Sequence, residues 1–248
     1  MSEPTRNLIV IPAFNEALAL ADTIVSLEAL PANFEILLVN DGSTDLTSQV
    51  AHELSETCRL RMHVVDLPLN CGIGAAVQTG YLFAAASQQY DYVIQFDGDG
   101  QHDALAIERL VDTCEELDLD LCIGSRFLQR DGEGFTSTAM RRVGIRFLAL
   151  LISKLGGTKV TDPTSGFRCA GPRAWMFFAG QYPDDYPEPE SLYWCVRNGL
   201  NVGEVPVTMR ARQAGISSIG RLRAVYYMAK VTMAILIDRL RPMEDPLA

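Results

Sequence analysis

The alternation that decides the fold is complete in residues 7–39, which read NLIVIPAFNEALALADTIVSLEALPANFEILLV. Residues 7–14 are apolar and rich in β-branched side chains, residues 16–30 have the apolar spacing of a helix, and residues 34–39 resemble a second strand. Short apolar strands separated by helices of this length are typical of βαβ units. The stretch predicts an α/β fold, with a mostly parallel sheet and helices on both faces.

The same alternation continues along the rest of the chain. A helix is predicted from a cap at Ser43 or Thr44 to residue 57, and residues 161–168 are predicted to form a loop. No linker divides the chain, so we predict one large domain over residues 1–210 and a C-terminal segment over residues 211–248. The other predicted strands are 61–66, 92–96, 119–124 and 201–207, and the other predicted helices are 72–89, 103–117, 140–155, 172–180, 190–199 and 224–237.

Composition excludes several classes of protein. The 248 residues hold 21 Lys and Arg against 31 Asp and Glu, and a net charge of −10 is the wrong sign for a nucleic-acid-binding protein. The six cysteines form no CxxC pair, which favours a reducing compartment. Residues 1–16 lack the pattern of a secretory signal, and the longest apolar stretch, 224–237, is too short to span a bilayer.

The C-terminal segment differs in charge from the rest of the chain. Residues 208–241 hold seven Lys or Arg against one acidic residue, Asp238. A basic and apolar helix of this kind favours an anionic membrane surface or a membrane-protein partner, contacted through residues 221–241. The alternative is an ordinary helix of the hydrophobic core.

Two acidic clusters follow predicted strands. Residues 97–103 read DGDGQHD and suit a divalent cation with oxygen ligands, although a turn followed by a helix capped by Asp103 is the alternative. Residues 40–45 read NDGSTD, where Asp41 could accept hydrogen bonds from a nucleoside, or the segment could simply cap a helix. Ligands of α/β sheets bind beyond the carboxyl ends of the strands. We therefore expect the two clusters to lie side by side, one holding a nucleoside and the other a metal-bound diphosphate.

Seven short motifs, in order along the chain, resemble those of glycosyltransferase family 2. PAFNE at 12–16 resembles P-x-[YF]-N-E, VNDGSTDLT at 39–47 resembles V-D-D-G-S-x-D-x-T, and DGDGQH at 97–102 resembles D-x-D-x-Q-H. Residues 70–80 resemble N-x-G-x-G-x-A-x-x-x-G, and the segments 162–168, 203–206 and 212–217 are similar to elements of the polyprenyl-phosphate sugar transferases, such as dolichol-phosphate mannose synthase. Asn40, Leu46 and Ser218 depart from the pattern, which commonly has Asp, Gly and Lys there.

The resemblance implies a GT-A (Rossmann-like) fold, an inverting transfer from a nucleotide-diphosphate sugar donor, and Mg²⁺ or Mn²⁺ as the cofactor. It assigns Asp97, Asp99 and Gln101 to the metal, with Asp99 also counted as catalytic. The nucleotide pocket is assigned to six residues: Pro12, Phe14, Glu16, Asp41, Asp97 and Gly98.

The acceptor is predicted from the proton that an attacking group must lose. A lipid phosphate is already anionic and needs only cations to position it, for which Arg126, Arg168 and Arg212 are the candidates. A saccharide hydroxyl needs a general base; Glu188 lies near where saccharide-elongating relatives carry theirs, and Glu190 matches an acidic residue common in the family. Arg141 and Arg142 are further cationic candidates, each with a surface salt bridge as its alternative.

We therefore expect a cytoplasmic glycosyltransferase, peripheral on the inner face of the cell membrane, that acts on a polyprenyl (undecaprenyl or dolichyl) phosphate. The alternatives are a family 2 transferase that acts on a saccharide hydroxyl in cell-surface polysaccharide synthesis, or a catalytically silent nucleotide-binding membrane scaffold.

Overall fold

A computed structural model of the chain describes residues 5–98, 100, 102–128, 139–208 and 221–241, apart from the side chains of residues 139–141 and 221–225. The described strands are β1 (Asn7–Ala13), β2 (Phe34–Asn40), β3 (Met62–Asp66), β4 (Tyr92–Gln95), β5 (Leu121–Ser125), β6 (Arg168–Ala170) and β7 (Val202–Pro206). The described helices are α1 (Ala17–Leu27), α2 (Thr47–Thr57), α3 (Ile73–Ser87), α4 (Ala106–Leu117), α5 (Ala139–Gly156), α6 (Pro172–Gly180), α7 (Pro187–Arg197) and α8 (Arg221–Leu240).

The strands form one sheet in the order β3-β2-β1-β4-β6-β5-β7. All neighbouring pairs are parallel except those of β6, which runs antiparallel to both β4 and β5. The predicted α/β class and mostly parallel sheet are confirmed. Strand β6 was not predicted, because its three residues are too few to show a periodic pattern and the first of them, Arg168, was assigned to the predicted loop 161–168.

Alternation along the strands divides the core between the two faces of the sheet. On β1, Leu8 and Val10 point into one apolar cluster, while Ile9 and Ile11 point into the other. Both clusters are covered by helices, because a strand buried on two sides needs apolar partners on each. The continuous apolar run in residues 8–11 is therefore explained by its central position in the sheet.

The chain reverses its direction across the sheet at β1. Strands β2 and β3 extend to one side of β1, and β4 lies on the other side. The expectation that the two acidic clusters lie side by side was wrong in this detail, because the end of β1 lies between them. The crevice at such a reversal is where ligands of open α/β sheets bind.

Helix α8 has one buried face and one exposed face. Val231 and Ile235 belong to the apolar cluster on the face of the sheet that also holds Leu8, and Met228 packs against Gly144 of α5. The predicted division at residue 210 lies outside the described residues. Within the described part of the chain, helices long enough to cross a bilayer are not apolar enough to do so.

Candidate active site

The ends of β1, β2 and β4 form one edge of the sheet. The backbone N–H of Asp41 donates to the carbonyl of Ala13 at 2.9 Å, and the N–H of Phe96 donates to the carbonyl of Val10 at 3.0 Å. Parallel pairing thus continues past β2 and β4 to the residues that follow them. Asp41 and Asp97 therefore flank the end of β1 on its two sides.

Asp41 is engaged by a loop that crosses over the end of β2. Its Oδ1 accepts the N–H of Cys71 at 2.8 Å and its Oδ2 accepts the N–H of Gly72 at 2.9 Å, while the residue is only 3% exposed. Gly42 has φ +62°, and a Cβ there would lie 2.4 Å from the carbonyl carbon of Leu69. Asp41 therefore fixes the loop before α3. A role in binding the nucleoside stays a prediction, and such a contact would share oxygens that already accept backbone hydrogen bonds.

Asn40, one of the three departures from the motifs quoted above, contacts an acidic residue. Its Nδ2 donates to Oδ1 of Asp66 at 2.7 Å, and its Oδ1 accepts the N–H of Ser43 at 3.2 Å. Burial alone would raise the pKa of Asp66, but hydrogen bonds from Asn40, His52 and Ser48 outweigh it and hold the pKa below its ordinary value. The amide at position 40 is thus matched to the carboxylate on β3.

The segment after Asn40 connects to β1 instead of capping α2. Ser43 Oγ accepts the N–H of Asn15 at 2.9 Å, and Asn15 Oδ1 accepts the N–H of Thr44 at 2.8 Å. The predicted cap at Ser43 or Thr44 was wrong, because α2 begins only at Thr47, whose N–H donates to Asp45. These bonds hold residues 14–16 next to the end of β2.

The predicted nucleotide-binding residues at the end of β1 lie on this edge. Phe14 is 43% exposed, and the Glu16 N–H donates to Thr47 Oγ1 at 2.9 Å. Pro12 pairs with Val39 of β2, which places it one residue before the strand end. Phe14 thus presents an aromatic surface at the crevice.

Asp97 follows β4 and is held by His102. The Asp97 N–H donates to His102 Nδ1 at 3.3 Å, and His102 Nε2 lies 3.5 Å from Asp97 Oδ2. The buried imidazole stacks on Phe167, with ring centroids 4.9 Å apart. In the sequence, His102 is the last position of the motif at 97–102. Its position beside a Phe from the distant segment 162–168 could not be inferred from the sequence.

Gly166 packs closely against Asp97, where a side chain would crowd the carboxylate. A Cβ at Gly166 would lie 3.2 Å from each carboxylate oxygen of Asp97 and 3.0 Å from Nε2 of Gln95. A similar close approach occurs at Gly98, where a Cβ would lie 3.4 Å from Ile11, and the Gly98 carbonyl accepts a hydrogen bond from Thr23. Gly166 therefore allows its backbone to pack close to the carboxylate, and Gly98 allows the chain to pass close to β1.

The arrangement at Asp97 fits a divalent cation. A partly exposed carboxylate at a strand end supplies the oxygen ligands that Mg²⁺ and Mn²⁺ prefer. The other predicted ligands, Asp99 and Gln101, lie outside the described residues. The described residues alone contain no group of three His, Cys, Asp or Glu side chains able to hold a metal ion.

Arg126 is engaged in a buried ion pair. Its Nε and Nη2 donate to the two carboxylate oxygens of Asp162 at 2.6 and 2.7 Å, and the Asp162 side chain is fully buried. Glu204 in turn accepts the N–H groups of Thr161 and Asp162. The predicted cation therefore fastens the segment 161–164 to the end of β5.

Arg168 lies inside the protein, contrary to the expectation that it faces an acceptor phosphate. The residue is 1% exposed, and its guanidinium donates to the carbonyls of Ser165 and Glu188, each at 2.7 Å. It also donates to the Pro163 carbonyl and to Ser191 Oγ. Arg168 therefore joins the loop over Asp97 to the start of α7. The motif contains the arginine but not the direction in which its side chain points.

Glu188 and Glu190 separate because they lie two positions apart on α7, which places them on opposite sides of the helix. Burial raises the pKa of Glu188, opposed by Arg168 and reinforced by the nearby charge of Asp97. Burial also raises the pKa of Glu190, reinforced by Asp238 and opposed by Lys230, both on α8. Glu188 is therefore the one near Asp97, and Glu190 is near α8.

Three predicted cations are left. Arg212 and the side chain of Arg141 lie outside the described residues. Arg142 is exposed on α5.

Comparison with known proteins supplies a family. Residues 8–178 match the sequence model of a family described as Glycosyl transferase family 2. Polyprenol monophosphomannose synthase of Mycolicibacterium smegmatis is 30% identical over 218 residues, which cover 86% of this chain and 81% of that protein. A UDP-N-acetylglucosamine–dolichyl-phosphate N-acetylglucosaminyltransferase of Methanococcus voltae is 29% identical over 213 residues, covering 80% and 83%.

The fold also matches a solved structure. Glucosyl-3-phosphoglycerate synthase from Mycobacterium tuberculosis, in complex with Mn²⁺, uridine diphosphate and phosphoglyceric acid, superposes with a TM-score of 0.69. The match covers 97% of this chain and 80% of that one at 19% identity, so it supports the fold alone. The expected GT-A architecture is thereby confirmed.

Proposed function

Because the chain belongs to glycosyl transferase family 2, we propose that it transfers a sugar from a nucleotide-diphosphate donor to a polyprenyl phosphate at the cytoplasmic face of a membrane. The observation that carries the donor half is the Asp97 carboxylate, whose side chain is 30% exposed at the reversal point of the sheet. The acceptor half is supported by relatives named for polyprenol and dolichyl phosphate substrates.

The donor would bind along the ends of β1, β2 and β4. We assign the nucleoside to Pro12, the exposed ring of Phe14, Glu16 and the neighbourhood of Asp41, and the diphosphate to Asp97 and Gly98. Asp97, Asp99 and Gln101 would hold Mg²⁺ or Mn²⁺. A bound divalent cation neutralises the charge that develops on the departing nucleotide diphosphate.

The acceptor phosphate would be positioned by cations that the fold does not already use. Arg126 and Arg168 donate their hydrogen bonds to Asp162, Ser191 and backbone carbonyls. We therefore assign these two arginines to shaping the loop over Asp97. Arg212 remains as the proposed contact to the acceptor phosphate.

A second candidate, transfer to a saccharide hydroxyl, is favoured by Glu188. A hydroxyl must lose a proton as it attacks, and a carboxylate with a raised pKa near the reacting centre is suited to accept it. The two candidates thus differ in whether Glu188 takes a proton during the reaction.

The two candidates can be separated by an assay with labelled UDP-glucose, UDP-N-acetylglucosamine and GDP-mannose, with Mn²⁺ and undecaprenyl phosphate in vesicles. An organic-extractable, mild-acid-labile product supports the lipid-phosphate acceptor, and Glu188→Gln should then leave the rate within a few-fold of wild type. A general base would instead contribute about 10²–10⁴-fold to the rate. Donor binding without transfer to any acceptor would favour the silent scaffold, and Asp99→Ala should abolish metal-dependent binding.

The membrane contact is proposed to involve α5 as well as α8. Val143, Phe147 and Leu150 are exposed on one side of α5 at helical spacing. Exposed apolar residues on α8 include Tyr226, Met233 and Ile237. The two helices touch at Gly144 and Met228, so these side chains belong to neighbouring elements.

Charge supports an anionic lipid as the partner of this pair of helices. Residues 139–156 and 221–241 together contain nine Lys or Arg and one Asp, in a chain of net charge −10. Asp238 is paired with Arg197 of α7, at 2.7 Å. Basic and apolar side chains on adjacent helices favour the headgroup region of an anionic bilayer.

Vesicle flotation tests the membrane contact. The protein should float with vesicles that contain phosphatidylglycerol and float less with phosphatidylcholine alone or at high salt, because screening weakens the attraction. Phe147→Ser with Ile237→Ser should reduce the bound fraction, while Leu117→Ser on α4 serves as the control, since Leu117 is also exposed but lies among acidic residues. Binding only in the presence of another membrane protein would favour the protein partner instead.

A further inference from the structure

Gln95, the last residue of β4, is a buried amide without a hydrogen-bond partner. It is 1% exposed, and among the described residues neither its Nε2 nor its Oε1 is hydrogen-bonded. The preceding residues of the strand, Val93 and Ile94, are fully buried and apolar, as expected in the centre of a sheet. A polar group in such a place destabilises the protein unless it acquires a partner.

The amide of Gln95 and the carboxylate of Asp97 both lie beside Gly166. A Cβ on Gly166 would be 3.0 Å from Gln95 Nε2 and 3.2 Å from both Asp97 oxygens, so the amide and the carboxylate border the same glycine. Gln95 is directly opposite Arg168 in the antiparallel pair of β4 and β6. The guanidinium of Arg168 donates its bonds to Ser191 and to backbone carbonyls, and none of these bonds goes to Gln95.

An amide next to a metal-binding carboxylate can donate a hydrogen bond that orients the carboxylate. Carboxylates that ligate a cation are commonly oriented by hydrogen-bond donors behind them, and an amide N–H₂ group is such a donor. A neutral amide donor would orient Asp97 without competing with the cation for it. Val10, across the strand pair on β1, offers no polar group.

We propose that Gln95 is a positioning residue that orients the Asp97 carboxylate when a divalent cation and the donor diphosphate bind. This inference rests on the proposed function, because Asp97 must be a metal ligand for Gln95 to act through it. Gln95 itself contacts neither the substrate nor the cation. The amide remains without a partner until Asp97 takes its ligand-bound orientation.

The test compares Gln95→Met with Asn7→Leu in the full-length protein. Met keeps the length of the side chain and removes the amide. Asn7 is also 1% exposed with an unpartnered Oδ1, but it is the first residue of β1, at the opposite end of the sheet from Asp97. The melting temperature is measured without metal, and the Kd for Mn²⁺ is measured by electron paramagnetic resonance with UDP or GDP present.

Gln95→Met should melt above the wild type, because a buried group without a partner has been removed. Its Kd for Mn²⁺ should nevertheless rise about 10–100-fold, as is usual when a donor behind a metal ligand is lost. Asn7→Leu should leave that Kd within twofold of wild type.

Three results would overturn the inference, and they are distinguishable. If Gln95→Met binds Mn²⁺ as tightly as the wild type, Gln95 does not position Asp97, and the proposed function stands. If Gln95→Met melts lower or does not fold, the amide already has a partner in the unliganded protein. If the wild type binds no Mn²⁺ with either nucleotide, the proposed metal site fails and this inference fails with it.

Discussion

The end of β2 and the end of β4 both continue into an Asp-Gly pair, Asp41-Gly42 and Asp97-Gly98. At β2 the backbone N–H groups of Cys71 and Gly72 reach both oxygens of the carboxylate. At β4 the carboxylate instead borders Gly166, where a Cβ would come within 3.2 Å of both oxygens, and the Asp97 side chain is 30% exposed. The same local sequence thus serves two purposes, and the segment that crosses over each strand end determines which.

The two sides of the crevice are held in place by different interactions. Asp41 holds a loop in place with two charge-assisted hydrogen bonds, so the β2 side is set before any ligand binds. On the β4 side the fixed parts are Arg126 and Arg168, which hold the segment 161–168 around Asp97. Substitution of Asp41 or of either arginine should therefore lower the stability of the fold, whereas substitution of Asp97 should weaken ligand binding.

The largest expected effect is that of Arg168→Met, which removes the support of the loop over Asp97. Three backbone carbonyls and Ser191 Oγ would lose their buried donor, and the free energy of unfolding should fall by about 3–5 kcal/mol. Urea denaturation measures the change. Arg173→Met is the control: its side chain is 52% exposed in its pair with Asp120, so the loss should be about 1 kcal/mol or less. Equal losses in the two variants would contradict the buried role of Arg168.

The second prediction separates the two aspartates directly. Asp41→Asn should lower the free energy of unfolding by about 1–3 kcal/mol, because an amide offers one acceptor where the backbone needs two. Asp97→Asn should change stability by less than about 1 kcal/mol but weaken Mn²⁺-dependent nucleotide binding more than about 10-fold. Urea denaturation and calorimetry on both variants are the measurements. If Asp97→Asn were the more destabilising of the two and still bound nucleotide normally, the assignment of roles would be reversed.

The third prediction fills the space beside Asp97. Gly166→Ala places a methyl group 3.0 Å from Gln95 Nε2 and 3.2 Å from the Asp97 oxygens, so the neighbours must shift slightly. We expect a loss of about 1 kcal/mol in stability and a weaker affinity for Mn²⁺ in the presence of nucleotide. Gly180→Ala is the matched control, because nothing lies within 4 Å of its Cβ position. Unchanged Mn²⁺ affinity in Gly166→Ala would show that the space is not needed for the cation.

The sequence was sufficient for features that depend on local periodicity. The apolar runs that become β1, β2 and β4 predicted a parallel sheet, and the rule for strand ends placed Asp41 and Asp97 at one edge. Strand β6 was not predicted because Arg168–Ala170 has only three residues. It also pairs antiparallel with β4 without a neighbouring turn sequence that would indicate a hairpin.

The features that could not be predicted depend on partners far away in the chain. The bonds of Asp41 come from residues 30 and 31 positions later, and the pair of Arg126 with Asp162 spans 36 positions. A motif identifies such a residue but not the distant residue with which its side chain forms hydrogen bonds. For this reason the two arginines were expected to face a substrate, although their hydrogen bonds support the fold.

The smallest expected effect concerns Asn40, where the β2 side departs from its family. The lowered pKa of Asp66 means that the ionised group stabilises the fold above its unfolded pKa of about 3.9, and that this stability is lost as the pH falls through the folded pKa. Asn40→Asp replaces the donor with a second carboxylate. Repulsion between the two charges raises the pKa of the pair, so ionisation destabilises the fold in the variant. The free energy of unfolding of the variant should match that of the wild type near pH 4 and be about 1 kcal/mol lower near pH 7.5. The difference is modest because Asp66 is partly exposed.

Urea denaturation at the two pH values measures this loss, and the chain offers an exchange of the two groups as its control. The double variant Asn40→Asp with Asp66→Asn restores one amide and one carboxylate across the same contact, so most of the loss at pH 7.5 should disappear. Nucleotide binding should change little in either variant, because Asn40 supports the end of β2 and does not line the space beside Asp97. A loss of binding that the exchange fails to restore would instead assign position 40 to the nucleotide, and the two strand ends would then differ less than their hydrogen bonds indicate.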